Sequence, residues 1–172
     1  MIQEIIFTKE ECQKIIKFFK DTEDRILNND TPGQTRVKYK GYLIKHADNS
    51  EFLYKKLFDF FEKHSGKKIY SYPPEIYIMQ YDVGDLFSQH TDNIKERIYA
   101  VGIQLNDDYE GGDYIFYEED GTKSINKEIG TCYIANALLS HEVKKITKGT
   151  RYSLVAFVDK NSITDKNKKI LI

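Results

Sequence analysis

The sequence contains no tryptophan, three prolines and two cysteines in 172 residues. Two cysteines cannot build the disulfide framework that holds small secreted domains together. Cys12 falls in a helical pattern and Cys132 in a strand pattern, so both are expected as reduced, buried small hydrophobes. No apolar run approaches the ~20 residues that cross a bilayer. Met1-Ile2-Gln3-Glu4 lacks the basic-then-apolar order of a secretory leader, so a cytoplasmic location is expected. Neither sign of charge is in excess, since 26 basic and 27 acidic side chains leave a net charge of −1. That balance supplies no field to recruit nucleic acid or an anionic membrane. Internal repeats and low-complexity tracts are also missing.

What is present suits one folded domain over residues 1–172, long enough for a real core. Residues 2–7 read as a short strand. Thr8 then looks like a helix N-cap, with Glu11 as the other half of a capping box. Ile15, Ile16, Phe18 and Phe19 give that helix an apolar face ending near Lys20. Residues 28–34 are loop-like and 37–44 strand-like. Asn49 or Ser50 can cap a second helix carrying Phe52, Leu53, Leu57, Phe58, Phe60 and Phe61, stopped by Ser65-Gly66. After Pro73-Pro74 the period changes. Short β-type runs follow at 76–81, 98–105, 114–117, 130–135, 141–146 and 152–159, separated by turn residues. Two helices followed by some six to eight strands predict an α+β, mainly β domain. Helical support would occupy about 1–72 and the β core about 75–159. The polar tail ends on Ile170-Leu171-Ile172.

There are four histidines, His46, His64, His90 and His141. His46 and His64 are expected to be structural or at the surface, His64 near a helix C-terminus that favours a cation. His90 and Asp92 are two apart, and in extended backbone such residues point to the same side. One imidazole and one carboxylate can thus converge on one ion. His-x-Asp is short enough to recur by chance, so the weight rests on its surroundings. A second imidazole, from His141, would complete the two-histidine, one-carboxylate set that suits non-haem Fe(II). The set has no thiolate, unlike most structural zinc sites.

The surroundings are distinctive. Tyr81-Asp-Val-Gly84-Asp-Leu-Phe87-Ser-Gln-His90-Thr-Asp92, then Glu110-Gly111-Gly112, then His141 with Arg151 ten residues later, resemble the prolyl 4-hydroxylase-like family of Fe(II)/2-oxoglutarate dioxygenases. The resemblance covers residues 76–158. It implies a double-stranded β-helix, or jelly roll, with N-terminal supporting helices. It implies His90, Asp92 and His141 as iron ligands and catalytic centre. Arg151, Tyr81, Ser153 and Gln104 would contact 2-oxoglutarate, with Arg151 gripping its distal carboxylate as a planar, bidentate donor. Arg97 and Phe87 would face a protein or peptide substrate. The implied chemistry consumes O2 and 2-oxoglutarate, with ascorbate as a supporting reductant. It hydroxylates a C–H bond, with prolyl residues the leading target, and releases succinate and CO2.

Two positions depart from the family pattern. Phe87 stands where relatives carry Tyr, and Leu139 where some carry Trp. These leave the iron and cosubstrate positions intact and alter the substrate side, so another side chain or a small molecule is an alternative target. A non-catalytic binding module and a cupin-like metal site are competing readings of the same β pattern. Neither assigns a purpose to Arg151.

Overall fold

The structure, a computed structural model, describes residues 1–21, 26–28, 38–40, 51–69, 76–94 and 96–165. His46, the expected cap at Asn49 or Ser50, Pro73-Pro74 and the last seven residues lie outside that set, as does most of the 28–34 and 37–44 readings.

In chain order the elements are β1 (Ile2–Ile5), α1 (Lys9–Asp21), β2 (Ile26–Asn28), β3 (Lys38–Lys40), α2 (Glu51–Ser65), β4 (Lys67–Ile69) and β5 (Ile76–Tyr81). There follow β6 (Phe87–His90), β7 (Arg97–Gln104), β8 (Glu110–Gly111), β9 (Tyr114–Glu118), β10 (Gly121–Ser124) and β11 (Thr131–Asn136). The chain continues with β12 (Ser140–Val143), β13 (Ile146–Lys148), β14 (Arg151–Asp159), a 3-10 turn and β15 (Ile163–Asp165).

The first helix begins as its sequence dictates. The Thr8 hydroxyl accepts from the Glu11 backbone N–H at 3.2 Å, and the Glu11 carboxylate accepts from the Thr8 N–H at 2.9 Å. This reciprocal cap satisfies two donors that a helix start otherwise leaves open. Glu11 also binds Lys56 of α2 at 2.6 Å, tying the two helices together. Thr8→Ala should lower stability by about 1 kcal/mol, read as a fall in the urea midpoint at unchanged slope.

Two antiparallel sheets carry the rest. One has five strands in the order β1-β11-β7-β14-β5, and the other has four in the order β10-β9-β12-β6. The alternation of side chains assigns each face of the larger sheet a task. Ile76 and Ile78 of β5, Val101 and Ile103 of β7, and Tyr152, Leu154, Ala156 and Val158 of β14 pack in one core with Cys12, Ile15 and Phe19 of α1 and Leu53, Leu57, Phe58 and Phe61 of α2. The intervening residues Tyr77, Met79 and Tyr81 of β5 and Arg151, Ser153, Val155 and Phe157 of β14 face the second sheet and line a cavity. Covering both faces explains why β14 is buried along nearly its whole length. The result is the mainly β, α+β jelly-roll plan that the sequence predicts, with helices backing one sheet.

Cys12 and Cys132 are free and buried, and burial pushes both thiols well above the ordinary range, Cys12 to about 12. One strand boundary differs from expectation. The run 141–146 is not a single strand. β12 stays in the four-stranded sheet, while β13 leaves it to pair with β8. Backbone bonds to another loop cause the break, because Ile146 N–H donates to Asp85 O, and Gly84 N–H to Ile146 O, each at 2.9 Å.

Candidate active site

The cavity between the sheets measures about 400 Å³, the size of a small-molecule site. At one end the topology solves what sequence distance leaves open. β12 pairs with β6 so that His141 stands directly opposite His90. Their rings lie 4.3 Å apart. Asp92 follows β6, held by its backbone N–H donating to Ala137 O at 3.0 Å. Its carboxylate oxygens lie 3.7 Å from His90 Nε2 and 3.3 Å from His141 Nε2. Ligand atoms of the three residues all fall within 4.8 Å of one another, close enough to hold one metal ion.

The backbone sets the state of both imidazoles. His90 Nδ1 lies 2.7 Å from Ser88 O, and His141 Nδ1 lies 2.9 Å from Leu139 O. A carbonyl can only accept, so each ring carries its proton on Nδ1 and turns a bare Nε2 inward. This is the outer-shell bond that fixes metal-binding histidines. Burial holds the pKa of both rings below the ordinary histidine range, and for His90 the neighbouring His141 adds to the effect. Both therefore stay neutral, with lone pairs available. Burial raises the Asp92 carboxyl, an effect that a bound cation would oppose. Phe87 stacks on His90 with centroids 3.9 Å apart, and Phe116 lies 5.1 Å from His141. These contacts restrict the rings further.

At the other end sits Arg151, 2% exposed. It donates from Nη1 to Ser153 Oγ at 3.0 Å and from Nη2 to Gln104 Oε1 at 3.1 Å. Its Cζ lies 5.2 Å from the Tyr81 ring and 5.7 Å from the Tyr114 ring. No carboxylate of the described residues pairs with it, and its Nε–H is the one buried side-chain donor there without an acceptor. A buried cation normally has a partner, so this arrangement calls for an anion from outside. Gly112, at φ +64°, leaves the room: a Cβ there would press on Ile146 and come within 3.3 Å of Arg151 Cδ. Gly111 ends β8, paired with Ile146, and Gly112 after it clears the path of the arginine.

Each residue singled out from the sequence can now be placed. Tyr81 and Ser153 line the cavity beside Arg151. The Tyr81 hydroxyl lies 4.0 Å from the weak acceptor Met79 Sδ. Gln104 stands behind Arg151 rather than in the cavity wall. Its amide donates to Asn106 O and Tyr109 Oη, which turns Oε1 toward the guanidinium. Arg97 and Phe87 line the cavity, with Arg97 Cζ 3.8 Å from the centre of the Phe157 ring. His64 pairs with Glu4 at 2.9 Å, at the surface and apart from the cavity. The structure adds Tyr114 and Tyr133, which sequence reasoning did not single out from thirteen tyrosines. The register of β9 and β11 against their neighbours is the signal that finds them.

A jelly roll with two neutral histidines and a carboxylate at one end of its cavity, and a buried arginine at the other, has the form of a non-haem iron oxygenase. Comparison with known proteins agrees. Residues 76–159 match the model of the 2OG-Fe(II) oxygenase superfamily. A PKHD-type hydroxylase of Gluconobacter oxydans is 26% identical over 113 residues, 59% of this chain and 48% of that protein. The chain spans about half the length of the curated relatives it matches. A prolyl-4-hydroxylase of Pseudomonas putida shares the fold with a TM-score of 0.74 at 14% identity, over 92% of this chain and 91% of that one. A Trichoplax adhaerens prolyl hydroxylase, solved with a hypoxia inducible factor peptide fragment, gives 0.67 at 15% identity, over 94% and 84%. Over residues 76–159, just under half of its length, the chain is similar to the 2OG-Fe(II) oxygenase superfamily, and its fold is shared with prolyl hydroxylases. Among the described residues no helix is long and apolar enough to cross a membrane.

Proposed function

We propose that this protein is an Fe(II)- and 2-oxoglutarate-dependent dioxygenase that hydroxylates a prolyl residue of a protein or peptide, releasing succinate and CO2. The observation that carries the reading is the buried, carboxylate-free Arg151 in the same cavity as His90, Asp92 and His141. The donor set fits iron. Two neutral imidazoles and one carboxylate suit Fe(II), and three ligands leave positions for a chelating keto acid and O2. Bound there, iron would couple O2 activation to decarboxylation of the keto acid.

The chain's own residues do the rest. Arg151 takes the distal carboxylate of 2-oxoglutarate, with Ser153 and Tyr81 beside it and Gln104 bracing the guanidinium from behind. Phe87 and Phe116 pack against the histidine rings and restrict their motion. Arg97, stacked on Phe157, stands on the substrate side of the cavity. A peptide substrate is supported by the peptide complex of the Trichoplax neighbour and by the prolyl hydroxylases that share the fold. Hydroxylation of another side chain or a small molecule is the second reading. It is favoured by Phe87, which presents no hydroxyl where the family pattern has Tyr.

The test is direct. Purified protein with Fe(II), ascorbate and 2-oxoglutarate should form succinate, and a proline-rich peptide should raise the rate and gain about 16 mass units, one oxygen atom. Absence of succinate under every condition refutes the oxygenase reading. Succinate with mass gain only on non-prolyl targets selects the second reading.

A further inference from the structure

The cosubstrate end of the cavity contains a polar group that nothing above uses. On the inner face of the larger sheet, Gly102 of β7 sits between Tyr133 of β11 and Val155 of β14. A Cβ added to Gly102 would lie 2.4 Å from both Cζ and the hydroxyl oxygen of Tyr133. The Tyr133 phenol therefore lies across β7, in the space that glycine leaves, with its oxygen directed toward β14. The backbone of Gly102 has no left-handed φ, so the requirement for glycine here is one of space alone.

From the facing sheet Tyr114 meets this phenol edge-on, with centroids 5.4 Å apart and planes at 89°. Tyr114 stands between the two ends of the site, 5.6 Å from the His141 ring and 5.7 Å from Arg151 Cζ. The guanidinium of Arg151 reaches back along β14 to Ser153 and Gln104. Those two residues pair with each other one row from Val155 and Gly102 on the same face. The phenol oxygen and the guanidinium thus occupy neighbouring positions on one wall. Tyr133 is 3% exposed. Buried among apolar and aromatic side chains, the Tyr133 phenol stays neutral and keeps its O–H proton. A neutral donor kept buried beside an unpaired cation suits an anionic oxygen.

We propose that Tyr133, seated over Gly102 and braced by Tyr114, is a specificity-determining residue that donates its phenol hydrogen to the cosubstrate carboxylate held by Arg151. The proposal rests on the 2-oxo acid reading above and adds a donor to that site. It predicts that the phenol acts on one end of the ligand only.

The test compares 2-oxoglutarate with 2-oxopentanoate, in which a methyl group replaces the distal carboxylate. Both are titrated calorimetrically into the full chain loaded with Mn(II), so that binding is read without turnover. Tyr133→Phe should weaken 2-oxoglutarate about tenfold and leave 2-oxopentanoate unchanged, so the preference for the dicarboxylate falls about tenfold. Gly102→Ala should reproduce that fall by displacing a phenol that is still present. Equal weakening of both ligands in Tyr133→Phe would place the hydroxyl at the metal end and overturn the proposal. So would an unchanged preference, or a loss seen in Gly102→Ala and not in Tyr133→Phe. Failure of the wild-type protein to bind 2-oxoglutarate would instead remove the reading on which the proposal rests.

Discussion

Arg151→Met is expected to raise the dissociation constant for 2-oxoglutarate by about 10²–10⁴-fold and, at the same time, to leave the ligand-free protein as stable as the wild type or more so. The first effect follows from the loss of a bidentate, charge-assisted grip, roughly 1.5–3 kcal/mol for each of two bonds at 1.4 kcal/mol per decade. The second follows from what the arginine lacks. It is buried, no carboxylate of the described residues neutralises it, and its Nε–H has no acceptor. Replacing such a group by an apolar side chain of similar length removes a desolvation penalty. Function and stability therefore pull in opposite directions at this position. Thermal melts with and without 2-oxoglutarate separate the two. Wild type should gain melting temperature with ligand, whereas the variant should start level or higher and gain nothing. A variant that melts well below wild type without ligand would show that Arg151 serves the fold rather than a cosubstrate.

Asp92→Ala and His141→Ala should each abolish 2-oxoglutarate turnover, with loss of tight metal binding as the cause. Each residue supplies one of only three ligand atoms, and the others cannot close the gap. His90 and His141 are fixed by Ser88 O and Leu139 O, and Phe87 stacks on His90. Calorimetric titration with Mn(II) reads the metal directly, and the thermal gain on adding metal should vanish in both variants. The metal-free Asp92→Ala protein should melt close to wild type, because burial already disfavours that carboxylate. Wild-type turnover in either variant would exclude the triad as the iron site.

Much of this was legible in the chain itself. The Thr8–Glu11 capping box is a local rule, and the structure forms both of its hydrogen bonds. The alternation along β14 needs only the two-residue period of a strand, which sends Arg151 and Ser153 to one side and Tyr152 and Leu154 to the other. The residue types at His90, Asp92 and His141 suit Fe(II), while the keto-acid chemistry and the role of Arg151 came from the resemblance of the surrounding motifs to a known family. Other features depended on pairing between distant segments. The run from His141 onward reads as a single strand, and only backbone bonds to the Gly84–Asp85 loop split it. Gln104 reads as a cosubstrate contact by position, yet Asn106 and Tyr109 turn its amide so that it faces Arg151 from behind.

The sequence by itself determined the helix start, the strand period and the set of side chains able to bind metal and carboxylate, since each depends on neighbours within a few residues. Tertiary structure alone decided that His141 lies opposite His90, that Arg151 meets no carboxylate among the described residues, and that Gly102 makes room for Tyr133. Those are facts of register and of empty space between sheets, which arise only when segments far apart in the chain are brought to pack against one another.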